Sequence, residues 1–207
     1  MGIIIALSGV DGSGKTTIAK IIMDYLKKKY KTKKIKIKYI ITFDHFLLKY
    51  ILRFKISKKK RVEFLQCSFH EQRLLNKVLF FLWPYCVFID TLIFVLYAKY
   101  ISEDIYIFDR YIHDFFVAFY RKGYVGNLFR ILVKFFPKPD IHIYVSCRAE
   151  TAKKRTENTH NLPITYFREC QNIYNTIVDT SIIKINTEAK IENVKKKIFK
   201  ILKGVGL

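Results

Sequence analysis

The chain has 207 residues, enough for one ordinary domain and too few for two comfortable ones. It is 51% apolar and 16% aromatic, which excludes wholesale disorder and permits a sizeable buried core. The net charge of +21 either reflects a lysine-rich composition or predicts attraction to polyanions such as nucleotides, nucleic acid or an anionic membrane surface. The cysteines stand far apart without a CxxC pair, so we expect a reduced, cytoplasmic protein without a zinc site or disulfide scaffold.

Strand and helix patterns alternate along the chain. An apolar run over 3–8 ends in glycines and predicts a buried strand, and apolar residues at helical spacing follow over 16–29. Further strands are predicted at 35–42, 105–108, 141–146 and 182–186. Further helices are predicted at 61–80, 85–100, 112–121, 164–178 and 191–202. This alternation implies a single α/β domain with a five-stranded parallel sheet covered by helices on both faces.

A glycine-rich motif lies between the first strand and the first helix. Residues 9–16 satisfy G-x-x-x-x-G-K-[ST], in which glycines let backbone N–H groups surround phosphate oxygens at the positive end of a helix. Lys15 would reach the β- and γ-phosphates, and the Thr16 hydroxyl would bind Mg²⁺. The motif predicts ATP binding in a P-loop nucleoside triphosphate hydrolase fold. The expected contacts are Gly12, Ser13, Gly14, Lys15, Thr16 and Thr17, with the adenine near 186–189.

Three places in the chain together resemble the thymidylate kinases and their thymidylate-kinase-like relatives. The first is the segment 8–17, with an acidic residue, Asp11, where the family typically has one. The second is Asp109-Arg110-Tyr111, after the third predicted strand. The third is Lys138-Pro139-Asp140 with the run 148–155, which is similar to the helix that opens a mobile lid. The resemblance implies a single kinase domain with a lid at about 155–163 and an apolar helical insertion at about 78–100.

The resemblance also implies roles for individual residues. Asp11 would face the sugar hydroxyl of the acceptor, and Arg110 would hold the acceptor's phosphate. Asp109 would serve the magnesium and acceptor region, and Arg155 would approach the ATP phosphates from the lid. The pair Phe69 and Arg73 is similar to an aromatic residue and an arginine that stack on and orient the acceptor base; their i,i+4 spacing puts them on one helix face.

These side chains fit phosphoryl transfer. Its transition state spreads negative charge over oxygen atoms, so catalysis consists mainly of positioning and cationic stabilisation. We expect Lys15, Arg110 and Arg155 to supply the catalytic charge, and Thr16 with Asp109 to hold Mg²⁺.

Two segments depart from the family pattern on the acceptor side. Phe43-Asp44-His45-Phe46 stands where thymidylate kinases have an arginine-glutamate-proline-glycine-glycine turn. Asp114 and Phe115 replace the usual serine and asparagine, and Asp114 is instead similar to the thymidylate-kinase-like relatives. Asp44 and His45 would make an acceptor-side pair, although a plain loop is the favoured interpretation. The pattern therefore supports the donor chemistry more strongly than the identity of the acceptor.

The apolar stretch 78–97 is long enough to cross a bilayer. However, Asp90 would lie near its centre at a cost of roughly 2.5–3.5 kcal/mol. A crossing would also separate the segment 8–17 from Asp109-Arg110, which we predict to share a site. We therefore predict buried helices and no transmembrane segment. An exposed apolar patch remains available for a partner, and 85–97 is the candidate face for a homodimer, as the resemblance implies.

The preferred hypothesis is an ATP- and Mg²⁺-dependent nucleoside monophosphate kinase that converts dTMP and ATP to dTDP and ADP. A second hypothesis keeps the donor and changes the acceptor to another nucleoside or small phosphorylated metabolite. A third is a P-loop ATPase or binding protein docked to nucleic acid or a membrane surface through its basic and apolar surfaces. No nucleic-acid module is recognisable, so such docking is not favoured.

Overall fold

The computed structural model describes residues 1–31, 33–38, 74–158 and 162–207, with backbone only over 74–80. Five parallel strands form one sheet in the order β2-β3-β1-β4-β5, as the fold prediction requires. The predicted continuation of β2 over 39–42 lies outside the described residues. The strands are β1 (Ile3–Ser8), β2 (Ile35–Lys38), β3 (Ile105–Asp109), β4 (Ile141–Ser146) and β5 (Ile183–Asn186).

Helices cover both faces of this sheet. The described helices are α1 (Lys15–Lys29), α2 (Leu74–Leu96), α3 (Ile112–Arg121), α4 (Asn127–Phe135), α5 (Ala149–Thr156), α6 (Ile164–Ile177) and α7 (Ile191–Gly204). Alternate residues of β1 point to opposite faces: Ile4 and Ala6 pack with α2, α3 and α4, while Ile5 and Leu7 pack with α1 and α7. Such two-sided burial explains why the parallel strands appear in the sequence as continuous apolar runs.

Two separate helices were predicted at 61–80 and 85–100, and the break between them is wrong: α2 is one continuous helix there. The helix runs without interruption through Pro84 and passes into a π-helical turn over Tyr97–Ile101. A proline in a helix removes one backbone hydrogen bond and costs about 3 kcal/mol. Burial of Trp83, Val87 and Val95 in the core offsets this cost, because each is at most 2% exposed.

The segment Phe81–Ile101 is long and apolar enough to cross a membrane, by length and composition alone. Among the described helices it is the one that meets this criterion. The core helix of a soluble protein meets it equally well, and α2 does contribute to the core.

Helix α4 was not predicted from the sequence. It buries Phe129 and Val133 but leaves Leu128, Ile131 and Phe135 exposed. Its polar residues Asn127, Arg130 and Lys134 do lie at helical spacing, but the helix spans only nine residues, which is shorter than the stretch over which a helical period is recognised.

The sheet register brings two predicted site segments to one edge. Leu7 of β1 pairs with Asp109 of β3, so the segment after β1 and the segment after β3 leave the sheet side by side. In open parallel α/β sheets, ligands bind at this carboxyl edge of the strands.

Candidate active site

A cavity of about 350 Å³ lies at the carboxyl ends of β1 and β3. It gathers most of the predicted site residues that the structure describes, although they come from three separate segments. Its lining consists of Asp11, Gly12, Gly14, Lys15, Thr16, Thr17, Asp109, Arg110 and Arg155. Ser13, the remaining predicted ATP contact, is fully buried.

The loop between β1 and α1 depends on glycine. Gly12 has a φ of 78°, and a Cβ atom there would lie 2.4 Å from the carbonyl oxygen of Ala152. Any larger residue would therefore be strained and would collide with α5. Gly14, with a φ of 95°, starts α1 without a side-chain cap, which leaves the helix N-terminus able to bind an anion. The buried Ser13 Oγ has no hydrogen-bond partner among the described residues. A bound ligand would supply the partner that such a buried hydroxyl requires.

Lys15 is buried beneath this loop. Its Nζ donates to the carbonyl oxygens of Gly9 at 2.7 Å and Val10 at 2.9 Å, and lies 4.0 Å from Asp11 Oδ1. Burial lowers the pKa of Lys15, while the carboxylates of Asp114 and Asp11 act in the opposite direction. The buried ammonium group therefore presents its positive charge at the predicted phosphate site, with few water molecules to screen it.

Thr16 and Asp109 form the predicted metal-binding pair. The Thr16 hydroxyl donates to Asp109 Oδ2 at 2.7 Å, and Asp109 is only 2% exposed. Hydroxyl and carboxylate oxygens are the ligands that Mg²⁺ prefers, so this donor set fits the ion.

Arg110 and Asp11 form an ion pair across the cavity, with Arg110 Nη2 donating to Asp11 Oδ1. Arg110 has a φ of 102° and is the one described non-glycine residue with a positive φ. Its N–H donates to the Leu7 carbonyl oxygen at 3.1 Å, which keeps the backbone against β1. Strained residues of this kind concentrate at functional sites.

Arg155 projects from α5 onto the loop. Its Nη1 donates to Thr187 Oγ1 at 3.1 Å and to the Gly12 carbonyl oxygen at 3.4 Å. Thr187 Oγ1 in turn donates to the Ser13 carbonyl oxygen at 2.8 Å. The turn after β5, where the sequence suggested the adenine, is thereby tied to the loop. Thr187 was not predicted individually because no local motif marks it.

A buried network behind the loop was missed by sequence reasoning. Asp114 accepts hydrogen bonds from the N–H of Gly9 at 3.2 Å, the N–H of Tyr111 at 3.1 Å and the hydroxyl of Tyr174 at 2.9 Å. The three donors come from the loop, the start of α3 and α6. Asp114 therefore anchors the loop to two helices. The sequence had marked it as a departure from the thymidylate kinase pattern and as similar to the thymidylate-kinase-like relatives, without a structural role.

Several predicted acceptor-side features lie outside the described residues. They are Phe69, Arg73, the segment 43–46 and positions 159–161 of the predicted lid.

The sheet order and the loop after β1 define a P-loop nucleotide kinase fold, which two solved structures share. Deoxyadenosine kinase from M. mycoides aligns with a TM-score of 0.59 at 17% identity, over 97% of this chain and 99% of that one. Thymidylate kinase from Ehrlichia chaffeensis aligns with a TM-score of 0.56 at 19% identity, over 97% and 98% of the two chains.

Sequence comparisons define the family. The thymidylate kinase family model matches residues 89–198. A "Probable thymidylate kinase" from Sulfolobus acidocaldarius is 31% identical over 155 residues, which are 75% of this chain and 69% of the relative. The chain belongs to the thymidylate kinase family. It is a phosphotransferase and a nucleotide kinase, of a family that generally uses ATP with Mg²⁺.

Proposed function

We propose that the protein transfers the γ-phosphoryl group of ATP to dTMP, forming dTDP and ADP. The observation that carries the proposal is one cavity lined by Lys15, Asp109, Arg110 and Arg155. The family match and the name of the Sulfolobus acidocaldarius relative support dTMP as the preferred acceptor.

In the proposed reaction, an oxygen of the acceptor's phosphate attacks the γ-phosphorus. The bond between that phosphorus and the β–γ bridging oxygen breaks, and ADP leaves with the bonding electrons. Residues Gly12–Thr17 hold the ATP phosphates through backbone N–H groups, and Lys15 stabilises charge on the β- and γ-oxygens. Arg110 binds the acceptor's phosphate, and Asp11 both orients Arg110 and faces the acceptor's sugar.

The Thr16 hydroxyl and Asp109 carboxylate are the proposed holders of Mg²⁺. The ion, when bound, neutralises charge on the phosphate oxygens. The hydrogen bond between the two side chains holds their oxygen atoms together in the wall of the cavity.

Arg155 lies at the start of the proposed lid, 155–163. Its contacts with Gly12 and Thr187 support a position over the donor phosphates, from which closure would exclude water.

Phe69 and Arg73 are proposed to stack on and orient the acceptor base. The whole chain is proposed to be one kinase domain.

The acceptor is tested by a phosphoryl-transfer panel. Purified protein receives Mg-ATP with each nucleoside monophosphate and each nucleoside, and ADP release is measured against a sample without acceptor. We expect the highest kcat/KM with dTMP. A higher value with another nucleotide or nucleoside would reassign the acceptor while leaving the donor chemistry in place. If every acceptor gave only background hydrolysis, the kinase proposal would be wrong for this chain.

We also propose that the enzyme is a cytoplasmic homodimer formed through the outer face of α2 and the π-helical turn. This face is both apolar and exposed, and monomeric proteins rarely expose large apolar patches. Its exposed residues are Ile89, Ile93, Leu96, Tyr97, Tyr100 and Ile101, at 39–73% exposure. The helix sequence 74–96 carries only Lys77 and Asp90 as charged residues, so the high net charge does not oppose contact here. Free thiols at Cys86, Cys147 and Cys170 support a reducing compartment.

The dimer proposal predicts the effect of a charge on this face. Ile93→Glu places a carboxylate in the proposed interface, and sedimentation equilibrium should show a dimer for the wild type and a monomer for the variant. Ile191→Glu changes an exposed isoleucine at the start of α7, on the opposite face of the sheet, and should remain dimeric. A monomeric wild type, or equal masses for both variants, contradicts the assignment.

A further inference from the structure

A second cavity, of about 680 Å³, lies apart from the candidate active site. It opens at the amino-terminal ends of β4 and β5, whereas the P-loop lies at the carboxyl edge of the sheet. Its walls come from the start of α3, the end of α4 with the segment after it, and the end of α6 with the segment after it. None of its lining residues also lines the P-loop cavity. Its volume is within the range of cavities that hold small organic ligands, roughly 300–1,000 Å³.

Positive groups predominate in this second cavity. Arg130, Lys134 and Lys138 line it, against the two carboxylates of Asp140 and Asp179. Both carboxylates already accept backbone hydrogen bonds: Asp140 from Ile4 N–H at 2.8 Å, and Asp179 from Ser181 N–H at 2.8 Å. Both carboxylates keep their negative charge, but the three cationic side chains outnumber them, so the lining favours an anionic ligand by its net charge.

Two nitrogen atoms in the cavity wall are buried without a partner. They are Arg130 Nε and His113 Nδ1, and neither has a hydrogen-bond partner among the described residues. Native proteins rarely leave such groups unpaired without a ligand or a water molecule to satisfy them. The Arg130 side chain is held in place by its Nη2, which donates to the Thr176 carbonyl oxygen at 2.6 Å.

Much of the remaining wall is apolar, although Thr176 and Ser181 also line it. The apolar part includes Val133, Phe136, Ile177, Val178 and Ile182. A bare inorganic ion would leave this surface without contacts. An organic anion would place its head group against the cations and its body against the apolar wall.

The floor of the cavity contacts the P-loop framework. His142 Nε2 lies 3.0 Å from Ser8 Oγ, and Ser8 is the residue before Gly9. Burial, with a smaller contribution from neighbouring His113, lowers the pKa of His142 to about 3, so this ring is neutral at pH 7. His113 directly precedes Asp114, whose carboxylate accepts the Gly9 N–H. A ligand on His113 and His142 would therefore act on the loop indirectly, through the His142–Ser8 contact and through the backbone that joins His113 to Asp114.

We propose that this cavity is a second binding site for a small organic anion, with a phosphate or carboxylate head and a flat apolar body. Its occupancy changes the affinity of the P-loop for ATP. By thermodynamic linkage, ATP then changes the affinity for this anion by the same factor.

The probes for this site are phenyl phosphate and benzoate, which combine the two head groups with a flat apolar ring. Isothermal titration calorimetry is performed with Mg²⁺ and a non-hydrolysable ATP analogue present in excess, so that the P-loop is already filled. We expect saturable binding of at least one probe, weakened about tenfold by Arg130→Gln and by Lys134→Gln. Lys200→Gln, on the exposed side of α7, removes the same charge elsewhere and should bind as the wild type does.

Lys134 is exposed, so Lys134→Gln should fold as the wild type does, and its loss of binding cannot be attributed to misfolding. Absence of saturable binding of both probes, or equal affinities in all four proteins, overturns the proposal. The coupling is read from the affinity for the ATP analogue with and without a saturating concentration of whichever probe binds. A shift in the wild type that disappears in Lys134→Gln supports regulation, and an unchanged wild-type affinity contradicts it.

Discussion

Lys15→Ala should lower kcat/KM for phosphoryl transfer by at least about 10²–10³-fold, the cost of losing one well-placed group that stabilises transition-state charge. The ammonium group is buried, and it donates to the carbonyl oxygens of Gly9 and Val10 within the loop that would hold the phosphates. Alanine removes both the positive charge and these two contacts. Among the residues that the structure describes, Lys15 is the one lysine that lines the P-loop cavity.

The matched control is Lys20→Ala, an exposed position on the same helix, which should keep wild-type activity. Initial rates of ADP formation and binding of a fluorescent ATP analogue, measured together, separate loss of chemistry from loss of donor binding. Circular dichroism confirms that each variant is folded. A Lys15→Ala protein within tenfold of wild-type activity would contradict the assigned role and would place the donor phosphates elsewhere.

The strands were predicted closely because burial on both faces turns each one into a short apolar run. For β1 and β4 the predicted and observed bounds are identical. The helical errors have separate causes. Pro84 was treated as a helix end, but long-range packing of Trp83 and Val87 keeps the helix intact. Helix α4 spans only nine residues, which is too short for a helical period to be distinguished from a short apolar run.

The P-loop was predictable because its chemistry is local. Backbone geometry requires glycines at fixed positions, and the lysine and hydroxyl follow directly in sequence. The proximity of Asp109 and Arg110 to the loop was reached through resemblance and strand placement, and the register Leu7–Asp109 accounts for it.

Asp114 was not predictable in this way. Its hydrogen-bond donors Gly9 and Tyr174 lie 105 and 60 residues away, so no spacing rule connects them. The sequence marked Asp114 only as an unusual residue in a family-like segment. Its function as an anchor depends on packing of α3 against α6, which is a property of the whole fold.

Asp114→Ala should lower the free energy of unfolding by about 3–5 kcal/mol, because it leaves several buried donors without an acceptor. Asp114 is 6% exposed, and its carboxylate accepts from Gly9 N–H, Tyr111 N–H and the Tyr174 hydroxyl. Activity should fall as well. Gly9 opens the P-loop, and Tyr111 follows Arg110, so the substitution loosens both the donor site and the acceptor's arginine. Asp24→Ala, at an exposed position on α1, is the control and should leave both quantities unchanged.

Tyr174→Phe removes the hydroxyl that donates to Asp114 Oδ1 at 2.9 Å and lies 3.2 Å from the Gly9 carbonyl oxygen, and it should cost about 1–1.5 kcal/mol. Combining it with Asp114→Ala should cost less than the sum of the two single changes, because the Tyr174–Asp114 bond is already lost in either one. Urea unfolding of the four proteins gives this coupling energy, and kcat/KM measured in parallel shows whether it extends to the site. Strictly additive free energies would contradict this coupling and would show that Asp114 and Tyr174 hold the loop independently of each other.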